Sequence, residues 1–231
     1  MQFIESTIFG VRSAYWKLIS SSNEPIIHLF PMMHIGDQEF YEEVLSRVSN
    51  CDVVMVEGVK SMTSTIITTS YRYVVRNPKL GLVLQPKIKP EDITGKIVHA
   101  DVSARDFERK WSGLPIFTKL QVYTIAPLYG LYLRYFATRE SIAHRSNTEY
   151  SVSRRDLLQD EEWDEFDEVL VDWRDRKLIE KLGEEIKKSK FSRKNIAIVF
   201  GAEHMRAVVK FLFDTKDYSV ESSEWLTVIK F

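Results

Sequence analysis

His34, Glu57, Asp101 and His204 are the side chains through which this chain could do chemistry, since each stands at, or one turn beyond, the end of a short apolar run. Such runs read as strands, and in open α/β sheets ligands bind at the carboxyl ends of the strands. Two neutral imidazoles and a carboxylate can hold a divalent ion and leave positions open for water and substrate. The ion would lower the pKa of its water and polarise a carbonyl. Without an ion, Glu57 or a histidine would act as general base. Spacing leaves both routes open. Taken singly, a strand-end His or Glu often only caps the following helix or bonds to backbone; two histidines in matching turns favour a shared cleft. His28 and His99 lie inside strands and are expected as hydrogen-bonded core residues, His144 as an exposed loop residue, and Cys51 as a small buried thiol. The chain has no G-x-S-x-G elbow, phosphate loop, G-x-G-x-x-G or H-E-x-x-H motif.

The elements that must position these groups come in two similar units. Ala14–Ser20 and Pro25–Phe30 flank a polar turn and read as a hairpin. The turn Pro31-Met32-Met33-His34 follows, then a helix capped by Asp37 with Phe40, Val44, Leu45 and Val48 inward, then the apolar strand 52–57 ending in Glu57. The second unit repeats this order: strand Ile196–Phe200, turn Gly201-Ala202-Glu203-His204, a helix with Met205, Val208, Val209 and Leu212 inward, and strand Trp225–Ile229. Between them, 61–85 reads as mostly helical with a break at Asn77-Pro78, and 97–101 as a strand ending in Asp101. Helices are expected from Ser103, over the aromatic stretch 115–143, and over 161–188, with loops at 144–153 and 187–194. The acidic run 160–168 reads as the solvated start of the last of these helices. Strand, turn, helix, strand is the unit that builds parallel sheets, so the fold class expected is α/β, a mixed central sheet with helices on its faces. No segment is rich enough in Gly, Pro or Ser to separate domains, and 1–231 is expected as one domain.

Composition narrows the partners. Hydrophobic residues make up 44% of 231 and charged residues 28%, enough for a core that needs neither disulfide nor metal to fold. A formal net charge of −1 supplies no general basic field, so no nucleic acid is expected. The single cysteine excludes a disulfide framework, which with the lack of a secretory pattern at 1–10 points to the cytoplasm. The most membrane-like window, 120–136, is shorter than the roughly 20 residues a span needs and carries Gln121, Pro127 and Arg134. It is expected to be buried against the core or against a second subunit in a homodimer.

With these residues in view, the chain resembles the TraB/PrgY/Tiki family, related to the erythromycin-esterase and ChaN-like group. The resemblance rests on Ile27 to Asp37 around His34, on Val56-Glu57-Gly58, and on Leu80 to Gln85. It continues through Ala100-Asp101 and Trp173-Arg174-Asp175 to Val199 to His204. It covers about residues 26–212 in the family's order. It implies two G-x-x-H turns on the family's α/β fold and a site made of His34, Glu57, Arg174 and His204. His34, Glu57 and His204 would hold a divalent ion (manganese, cobalt or zinc), and Arg174 would position a substrate or stabilise an oxyanion. Tiki-like relatives are metal-supported peptidases, esterase-like relatives activate water with a histidine, and ChaN-like relatives bind haem. The activity expected is therefore a metal-dependent hydrolase acting on a peptide or ester bond of a peptide or small molecule. The alternative is a non-catalytic binding or regulatory protein that captures a peptide or cofactor. One departure stands out: the first turn has Pro31 where the family has glycine.

Overall fold

A computed structural model describes residues 1–22, 24–143, 168–190 and 193–231. Its centre is a mixed sheet. Strands β3 (Ile26–Met32), β8 (Asn195–Gly201), β5 (Val53–Val56) and β7 (Lys96–His99) run parallel, in that spatial order. On the β3 side the sheet continues antiparallel through β2 (Gly10–Ser20) to β9 (Tyr218–Lys230). The free part of β2's inner edge carries β1 (Ile4–Thr7). A separate two-stranded ribbon joins β4 (Ile35–Gly36) to β6 (Val83–Leu84). β5 and all but the first residue of β8 are buried, as a central strand covered on both faces demands.

Helices flank this sheet. α1 (Gln38–Val48) carries the chain from β3 to β5 and buries Phe40, Tyr41, Val44 and Val48. α2 (Met62–Ile67), α3 (Thr69–Val74), α4 (Ala104–Gly113) and α5 (Ile116–Phe136) lie between β5 and the last third of the chain. α6 (Trp173–Lys188) leads to β8 and packs on α7 (Met205–Lys216), which leaves it. The connection from β8 runs towards β9 and the connection from β5 runs towards β7. Loops therefore diverge from the line between β8 and β5, and the carboxyl ends of those two strands are where open α/β sheets place a ligand crevice.

Several local expectations change. Asp37 stands at the N-cap position of α1 but makes no capping bond. Its carboxylate instead takes both Nη2 contacts of Arg139, at 2.6 and 2.7 Å, because an ionised guanidinium outcompetes a backbone N–H. The stretch 61–85 is helical only to Val74, and Val83–Leu84 pairs as a strand with Ile35–Gly36. β9 is longer than expected, thirteen residues against β2. The long aromatic helix stops at Phe136, and the last helix enters through a π-helical turn, Glu168–Asp172. His28 is hydrogen-bonded as expected, through Nδ1 to Tyr15 (2.8 Å) and Nε2 to Asn195 (3.0 Å), and burial lowers its pKa. His99 is exposed, since β7 is the sheet's edge. Cys51 is buried, which pushes its thiol up to about 11. α5 is not covered by the core: Tyr129, Tyr132 and Tyr135 are all more than a third exposed. The expectations for His144, for the loop 144–153 and for most of the acidic run lie outside the described residues.

Candidate functional site

Glu57 follows β5 directly, and its backbone N–H still donates to Val199 of β8, so the strand pairing itself fixes the carboxylate at the end of β8. Oε2 accepts from the Gly201 N–H at 2.6 Å. Oε1 accepts from Arg174 Nη2 at 2.5 Å and faces His204 Nε2 at 3.7 Å. A β-carbon at Gly201 would sit 3.1 Å from Oε2 and 3.5 Å from the His204 ring, so a larger residue would press the carboxylate back by a few tenths of an ångström. Burial disfavours the charged form of Glu57, but Arg174, His204 and His34 outweigh it and hold the carboxyl well below the usual range.

Arg174 projects from the first turn of α6. Its Nε and Nη2 donate to the two oxygens of Asp101 at 3.0 and 2.7 Å, and its Nη1 to the Leu170 carbonyl. Asp101, two residues past β7, also accepts from the backbone N–H of Gly58 and of Val102. Asp101 is buried, and the amino-acid order marks it only by its strand-end position. Its place opposite Gly58, one residue beyond Glu57 as the β5–β7 register runs on, is the signal that points to its role. Arg174 thus spends its fork on two carboxylates of the protein, which makes it a positioning residue for Glu57.

His204 is only 3% exposed and packs edge-on against Phe200. Its Nδ1 is 2.6 Å from Asp175 Oδ1, on the residue after Arg174. Burial disfavours the imidazolium, yet Asp175 and Glu57 on its two sides raise its pKa to about 9. Burial also raises Asp175. We place the proton on His204, because it stands between two carboxylates. Asp175, which the resemblance touches only in passing, is therefore part of the site. His34 differs: it is partly exposed, its ring leans on Tyr71 of α3 at 5.0 Å between centroids, and it lies near enough to Glu57 to stabilise its charge. Glu57, Arg174, Asp101, His204 and Asp175 thus form one connected cluster, which His34 touches through its charge on Glu57.

For the ion that the resemblance implies, His204 would offer Nε2, which faces Glu57 Oε1 at 3.7 Å, while its Nδ1 is held by Asp175. Both oxygens of Glu57 and Nδ1 of His204 already have protein partners. Among the described residues no group of three or more His, Cys, Asp or Glu is arranged to hold a metal. Compared with protein-family models, curated proteins and solved structures, the chain matches none.

Proposed function

We propose that this crevice hydrolyses an ester or peptide bond, with His34 as the base that activates water and Glu57 as the charged group that orients both. The observation that carries this reading is the clamped Glu57 carboxylate beside a partly exposed histidine at the point where the loops diverge. Glu57 is held too acidic to be an effective base itself, so proton transfer falls to His34. Arg174, Gly201, His204 and Asp175 keep Glu57 in place and charged. The order of the turns around His34 and His204 supports a kinship with the TraB/PrgY/Tiki and erythromycin-esterase proteins, although β9, which closes the second unit, pairs antiparallel with β2 rather than parallel beside β8.

The test is a panel of activated esters and short peptides, with chelator or with added manganese. Turnover should persist in chelator and fall by about a hundredfold or more in His34→Ala, with the melting temperature unchanged. Turnover only with manganese would replace the base with the metal-assisted route. No turnover in either condition would favour the second reading, a binding protein, for which the internally satisfied Glu57–Arg174–Asp101 network speaks.

A further inference from the structure

α5 is built the wrong way round for a core helix. Its buried positions include Thr118, Gly130 and Leu133, small or single, while Ile116, Leu120, Ile125, Leu128, Tyr135 and Phe136 point outward. Leu128 is 67% and Phe136 71% exposed. Gly130 lets the helix press directly on α3, where a β-carbon would meet Ser70 Cα at 2.6 Å, so the outward face is fixed rather than free to roll inward. An outward row of large apolar side chains marks an interaction surface.

The charges of α5 and of the segment it packs on say which kind. From Lys60 to Lys89, the segment carrying α2 and α3, the chain has Lys60, Arg72, Arg76, Lys79, Lys87 and Lys89, all exposed, and no acidic residue. α5 itself has Lys119 and Arg134 and again no acid. A net charge of −1 for the whole chain conceals this segregation. A second apolar projection meets the C-terminal end of α5. Arg139 holds the Lys230 carbonyl at 2.7 Å, and the neighbouring Phe231 N–H donates to Phe9, which with Ile8 forms an exposed hairpin tip.

Apolar and aromatic side chains on a helix that carries only basic charge, packed on an α2–α3 segment whose own charges are all basic and whose nearest acid contact is Glu108 on Thr63, match an anionic lipid interface. A symmetric contact between two α5 helices would instead bring like charges together. No described helix is long and apolar enough to cross a membrane, so the helix would lie in the surface. We propose that this α2–α3–α5 layer docks the protein on an anionic lipid bilayer, with α5 in the interface. This is independent of the hydrolase reading.

The test is co-sedimentation of the full chain with phosphatidylcholine vesicles, with and without a third of phosphatidylglycerol. Binding should require the anionic lipid, weaken with salt, and fall about fivefold for each cation removed in Arg72→Gln and Arg76→Gln. The double variant Leu128→Asp, Phe136→Asp should lose binding while keeping its circular dichroism and melting temperature, since both side chains are exposed. Failure of the wild type to bind, or equal binding by the double variant, would overturn the proposal. So would a wild-type dimer that this variant splits, which would make the face a protein interface. Should the double variant unfold, the salt and arginine series decides on its own.

Discussion

At the end of β8, Gly201 gives its N–H to Glu57, and His204 is locked between Asp175 and Glu57 with 3% of its side chain exposed. At the end of β3, the equivalent position is Pro31, which has no N–H to give, and His34 stays partly exposed against Tyr71. Pro31 is tolerated because its carbonyl accepts from Ser13 of β2, so the vacant N side faces β2 where the β2–β3 ladder has already ended at Leu29. One of the two turns is thus a rigid positioning device and the other an accessible one. Matching motifs in sequence do not imply matching roles, because the partners on neighbouring elements differ.

The largest expected effect comes from removing what the locked turn works through. Arg174→Met leaves Glu57 and Asp101 as buried carboxylates without their common counter-charge, and breaking such a pair costs about 3–5 kcal/mol. Denaturant unfolding should show that loss, and adding Glu57→Gln to the same chain should recover part of it. If Arg174→Met is as stable as the wild type, the two turns are not distinguished by a clamped carboxylate.

A pH series addresses the two histidines directly. His204 has a folded pKa raised to about 9, above its ordinary unfolded value, so its stabilisation is complete below the unfolded pKa and is lost as pH rises through about 9. The loss should be on the order of 3 kcal/mol between about pH 6 and about pH 10. It should vanish in His204→Gln and persist in His34→Gln. An unchanged alkaline loss in His204→Gln would mean that His204 is not the group held charged. Glu57 acts in the opposite sense, its stabilisation being lost only as pH falls through its lowered pKa. A histidine that opens a helix after a glycine turn reads as a projecting side chain whose truncation costs the fold little. The buried, doubly paired ring of His204 reverses that, and its loss should destabilise the protein.

The smallest effect belongs to Pro31→Gly. It loosens the unfolded chain and should cost about 1 kcal/mol, with the Glu57 network intact and the alkaline loss unchanged. A loss several times larger, read by thermal unfolding, would show that the first turn is as tightly built as the second.

Much of the framework is legible in the order of the amino acids alone. Apolar runs ending in polar residues locate β3, β5, β7 and β8, and helical spacing locates α1 and α7, because period and burial are local properties of a sequence. The placement of Glu57 and His204 just past β5 and β8 follows from the same pattern. What the sequence does not contain is which group each meets. Asp37 reads as a cap until Arg139, a hundred residues away, takes its carboxylate. Arg174 and Asp175 read as two charges on a helix until α6 is laid beside β7 and β8, when one clamps Glu57 and the other holds His204. The aromatic helix reads as buried because its composition is apolar, but Gly130 and its contact with α3 turn the large side chains outward. Secondary structure depends on neighbours a few residues apart, whereas ionisation, exposure and role depend on long-range packing that only the tertiary fold sets.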